Sequence, residues 1–175
     1  GAPPGGLPDR ERIETALVRA GALSRAGRLD DEAALYASAK ALVSRSGDER
    51  GMARLLAAEA LGLADRRDFA ASIARLEEAL SILGGDSVER ARISIDLAAT
   101  LHHAGRPERT VPLLRAAAAL AAEAGREDLA RIARGNLVEA CIGREEWAPA
   151  SAGVENLLRS ARAAGDPLWT LVALH

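Results

Sequence analysis

Between Asp68 and Gly84 the apolar residues Phe69, Ile73, Leu76, Leu80 and Leu83 fall on one line, while Arg75, Glu77 and Glu78 lie off it. Intervals of three and four residues put all five on one face of a helix, so the segment predicts an amphipathic helix with one buried stripe. On that reading Leu80→Ala costs about 2–5 kcal/mol. A related pattern recurs along the chain. Counted from Gly27, Asp65, Gly105 and Gly143, which are 38, 40 and 38 residues apart, a leucine stands fifteen residues on each time: Leu42, Leu80, Leu120 and Leu158. Four residues before the same positions stand Leu23, Leu61 and Leu101, with Glu139 in the fourth place. Glycines close each period at Gly47, Gly85, Gly125 and Gly165. Two helix patterns within a period of 38–40 residues are the signature of stacked helix pairs. The expected fold is all-α, a solenoid of about four helix-turn-helix repeats with a partial fifth.

The helix limits follow from caps and breakers. They predict helices over about 9–26, 30–46, 49–64, 68–84, 87–104, 108–124, 127–142, 146–164 and from 167 onward. Asp9, Asp30, Asp48 and Asp86 stand where a carboxylate can accept from the free amides of a first turn. Gly27 is expected to supply a left-handed residue at its helix end, and glycine marks the other internal helix ends except at Asp65. Pro112 and Pro149 fall in or near a first turn, where a missing amide has little consequence. Loops of two to five residues make consecutive helices antiparallel neighbours. Residues 1–8 read as a flexible linker, and the repeats as about 9–47, 48–85, 86–125, 126–165 and a partial 166–175. Leu168, Trp169, Leu171, Val172 and Leu174 are apolar where an array normally ends on a polar capping helix, which suggests a longer protein.

Composition narrows the function classes. A net charge of −2 gives no global field for nucleic acid or for an anionic membrane. No apolar run reaches the roughly 18 residues of a membrane span, and the first residues do not read as a signal peptide. Cys141 is the single cysteine, so no intrachain disulfide forms and a cytoplasmic location is expected. Lys40 is the only lysine among 23 basic residues.

The residues Ala26-Gly27-Arg28-Leu29-Asp30-Asp31-Glu32-Ala33, Leu76-Glu77-Glu78-Ala79-Leu80 and Gly105-Arg106-Pro107-Glu108, with Asn136-Leu137, resemble tetratricopeptide repeats over about residues 9–175. The period of 38–40 exceeds that family's 34, and its first-helix tryptophan and tyrosine are missing. The alanine, arginine and Gly-Arg turns look like the arrays of large bacterial regulators of the LuxR and antibiotic-regulator type, and like tails of bacterial Ser/Thr kinases. The resemblance implies that first helices line a concave groove, with Glu59, Asp96, His102, Arg134 and Asn136 as candidate groove-lining residues.

No catalytic, cofactor-binding or metal-ligating set emerges. His102 and His103 are adjacent and point about 100° apart on a helix, which disfavours a shared metal. Cys141 reads as a small buried hydrophobe, and Glu145-Glu146 as a capping pair like Asp30-Asp31. No glycine-rich phosphate loop or nucleophile elbow is present. The expected function is a protein-interaction or effector-sensing module of a larger bacterial regulatory protein, not an enzyme. Its partner would be a protein or peptide, or else a small effector. The alternatives are a helical accessory domain of an enzyme, such as a kinase tail, and a module that dimerises through its unfinished last helix.

Overall fold

The structure, a computed structural model, describes residues 9–166; the expected helix from 167 onward and the linker over 1–8 lie outside them. The described residues are helical, without a strand. In order they form α1 (Asp9–Arg25), α2 (Leu29–Ser46), α3 (Glu49–Asp65), α4 (Phe69–Ile82), α5 (Ser87–His103), a short 3-10 turn (Pro107–Arg109), α6 (Thr110–Glu123), α7 (Glu127–Ile142) and α8 (Trp147–Ala163). The chain divides into two compact units, Gly1–Gly85 and Asp86–His175.

In the first unit α3 packs against α1, α2 and α4. Ile13, Ala16, Ala20, Tyr36, Ala39, Val43 and Leu55 form a core there. In the second unit α6 packs between α5 and α7, and α8 lies on α7. Its core is mostly alanine: Ala98, Ala117, Ala118, Ala133 and Ala140 around Ile95 and Leu114, with Ala91, Ala121 and Ala130 as a further cluster. Small side chains let these helices approach closely. At Gly153 a Cβ would come 2.6 Å from Val138 Cγ2, so α8 meets α7 there only because glycine has none.

Aspartate caps hold the starts of α3, α4 and α5. The Asp48, Asp68 and Asp86 carboxylates accept from the amides of Gly51 (2.8 Å), Ala71 (3.1 Å) and Glu89 (3.0 Å). Two expected caps are corrected. The second helix begins at Leu29, so Asp30 lies inside the first turn, where its charge still suits the helix dipole. Glu146 holds the N-cap position of α8 but makes no capping bond, its carboxylate accepting instead from Arg144 Nε at 2.7 Å. Pro112 and Pro149 are each the third residue of their helix, among the amides that lack intrahelical partners. The role of Asp9 falls on a side chain outside those described.

The turns correct the sequence alignment. The turns that follow α1, α3, α5 and α7 each hold a left-handed residue, Gly27, Arg67, Gly105 and Glu145, with φ of 70°, 63°, 70° and 60°. Each donates to a carbonyl three residues back, and the next residue to one five residues back: Arg28 to Leu23, Asp68 to Leu63, Arg106 to Leu101 and Glu146 to Cys141, all at 2.9–3.0 Å. The four turns are therefore 40, 38 and 40 residues apart. Asp65 and Gly143 stand two residues too early to be their equivalents. Gly143 is right-handed, with φ −62°.

In this register the buried positions of the second helices line up. Glu32, Ser72, Thr110 and Ala150 are buried four residues after the residue that follows the left-handed one. Ala39, Ala79, Ala117 and Leu157 are buried seven residues further on, and Val43, Leu83, Ala121 and Ala161 four beyond those. The leucine column Leu42, Leu80, Leu120 and Leu158 is only half-buried, beside that face rather than on it. In the first helices, Ala20, Ala60, Ala98 and Val138 form a matching buried column.

Candidate functional site

Two of the five expected groove residues meet at one cavity in the second unit. His102 from the last turn of α5 and Asn136 from α7 line a space of ≈ 220 Å³, together with His103, Glu139 and Thr110. Ala98, Ala99, Leu114 and Ala140 supply its apolar wall. Although adjacent histidines diverge on a helix, both rings reach this cavity, edge to face with centroids 5.8 Å apart. Thr110 is the feature the sequence did not point to. It is 2% exposed, and among the described residues its hydroxyl has no hydrogen-bond partner. A threonine in a helix usually returns its hydroxyl to the carbonyl four residues back. Here that stretch is the 3-10 turn, whose last bond runs from the Thr110 amide to the Pro107 carbonyl. A buried hydroxyl without a partner costs about 1–3 kcal/mol, so Thr110 is an unspent donor and acceptor at the cavity.

The other three residues lie elsewhere. Glu59 is half-buried between Lys40 Nζ (2.9 Å) and Arg75 Nε (3.3 Å), and Arg75 also donates to Glu78 (2.8 Å). Asp96 lies 3.9 Å from an Arg92 nitrogen. Burial pushes its carboxyl up to about 6, Arg92 opposes the shift, and Glu89 adds to it. Arg92 is drawn mainly to the buried Glu89, which it meets in a short hydrogen bond. Arg134 donates to Glu127 at 2.5 Å and lines a second cavity in the same unit.

The first unit carries a charge cluster of its own. Glu32 is 3% exposed and accepts from Arg66 at 3.0 Å. Its other oxygen is close to Gly62, where a Cβ would lie 2.9 Å from it. Burial, then the Glu32 and Glu59 carboxylates, push the Tyr36 hydroxyl up to about 12. These groups neutralise one another, which fits a structural network better than a reactive one.

Cys141 is buried at 1% exposure. Burial and the Glu146 carboxylate push its thiol upward, so it stays protonated. Among the described residues no three histidine, cysteine or acidic side chains gather as metal ligands would. No described helix is long and apolar enough to cross a membrane. No protein-family model matches the chain, and no curated protein matches it.

Proposed function

We propose that the chain is a tetratricopeptide-like helical array that serves as a protein-interaction or effector-sensing module of a larger bacterial regulatory protein, without catalysis of its own. The four-fold return of the same left-handed turn and buried columns supports a repeat array. The observation that carries the binding role is the cavity of His102, His103, Asn136, Glu139 and Thr110. It joins a polar rim to a buried hydroxyl that has no hydrogen-bond partner among the described residues. Such a site gains from a partner that brings its own hydrogen-bonding group, because satisfying Thr110 removes a penalty the free fold carries.

Selection of displayed random peptides on the purified chain tests this reading. Selected peptides are expected to lose at least tenfold in affinity, about 1.4 kcal/mol, on Asn136→Ala and on Thr110→Val. Thr110→Val keeps the shape of the side chain and removes only its hydroxyl. A selection that returns no binder, or binders indifferent to both substitutions, overturns the reading.

A further inference from the structure

The second cavity of the Asp86–His175 unit, ≈ 290 Å³, opens among α6, α7 and α8, and its polar groups are cationic or neutral. Arg115 comes from α6, Arg134 from α7 and Asn156 from α8, while Leu137, Val138 and Pro149 line the apolar part. Three observations single it out. Arg134 departs from its column: twelve residues before the residue that follows each left-handed one stand Ala16, Leu56 and Ser94, all buried, and then Arg134. A guanidinium replaces a packing residue there and is held half-buried, with Glu127 on one of its nitrogens. A planar guanidinium keeps further donors in a fixed fork. Arg115 makes no ion pair or hydrogen bond among the described residues, so a second fork at the same cavity is unclaimed. The Glu146 carboxylate beside Cys141 is bonded to Arg144. Cys141 also lines the cavity and adds no charge, because its thiol stays protonated.

We propose that this cavity binds a compact organic carboxylate. The anion is shared by the guanidiniums of Arg115 and Arg134, with the Asn156 amide as a further donor. A branched or aromatic hydrocarbon body lies along Leu137, Val138 and Pro149. The volume, at the lower end for ligand sites, limits the occupant to roughly ten non-hydrogen atoms. The assignment takes up the effector half of the function proposed above, but it stands on a different cavity and on its own residues.

Benzoate, benzamide and inorganic phosphate are the probes, titrated against the whole chain by calorimetry and by amide shifts. Benzoate is expected to bind with Kd below about 1 mM and to shift amides near Cys141 and Gly153. Benzamide, which has the shape without the charge, is expected to bind at least tenfold more weakly. Arg115→Gln is expected to weaken benzoate at least tenfold. Arg134→Leu puts an uncharged packing residue back in that column, so it is expected to keep or raise the urea midpoint while abolishing binding, which separates lost affinity from lost fold. Equal binding of benzamide, displacement of benzoate by equimolar phosphate, unchanged affinity in Arg115→Gln, or no amide shift at 10 mM benzoate each overturns the proposal. Peptide binding at the His102–Asn136 cavity would be unaffected by any of these results, so the two readings fail separately.

Discussion

Glu145→Gly is expected to stabilise the protein, although the substitution removes a side chain. Glu145 sits at φ 60°, where an L-residue with a Cβ carries a penalty of about 1–2 kcal/mol. Among the described residues its side chain makes no hydrogen bond or ion pair that glycine would forfeit. Glycine relieves the strain but adds unfolded-state entropy worth about 0.4–1 kcal/mol, leaving a net gain of about 0.5–1 kcal/mol. The same reasoning runs backwards at Gly105, at φ 70° with nothing within 4 Å of a built Cβ, so Gly105→Ala loses about as much without a clash. Gly143 separates the two alignments of the repeats. At φ −62° a Cβ there would meet only ordinary contacts, 3.5 Å to the Glu139 carbonyl and 3.8 Å to the His102 ring, so Gly143→Ala is expected to be neutral or stabilising by up to about 1 kcal/mol. All three positions lie in the Asp86–His175 unit, so urea melts compare the variants within one compact unit. With a slope of about 1–2 kcal/mol per molar urea, midpoints move by roughly 0.3–1 M. If Gly143→Ala costs as much as Gly105→Ala, or Glu145→Gly destabilises, the left-handed turn is not where the structure puts it. The arginine column built on that register then falls too.

Leu76→Ala is expected to cost about 2–5 kcal/mol, and half-buried Leu80→Ala clearly less, reversing the weight the leucine column suggests; paired denaturant melts decide the order. Gly62→Ala puts a Cβ 2.9 Å from the Glu32 carboxylate and is expected to cost about 1–3 kcal/mol, read as a lower thermal midpoint; a silent substitution would mean the Glu32–Arg66 pair is not fixed as described. Asp96 has a folded value raised from 3.8 to about 6, so its contribution to stability is full below 3.8 and is lost as pH rises through 6. Asp96→Asn is therefore expected to raise stability relative to the parent by about 2–3 kcal/mol at pH 8 and by little at pH 4, and an equal difference at both pH values contradicts the buried carboxyl.

The all-helical class was legible in the chain because apolar intervals of three and four repeat between short breakers, and because aspartates at Asp48 and Asp86 cap as their positions suggest. Glycine misled the alignment for a physical reason. It is the residue expected at a left-handed turn, yet Arg67 and Glu145 are held there by backbone bonds from their own and the following amide, independent of side chain. Two residues of offset, about 200° around a helix, move a column from one face to another, which is why the leucine column proved half-buried. Of the candidate site, the chain alone offered His102 and Asn136 as polar residues on first helices; that they meet at one cavity depends on how α5 and α7 pack around α6. Thr110 carried no signal, since its importance lies in a hydrogen bond it does not make. Local pattern thus settled which segments are helices and roughly where they end. Which face is buried, which charges pair and which polar groups stay unsatisfied are long-range properties, decided only when residues far apart in sequence compete for the same space.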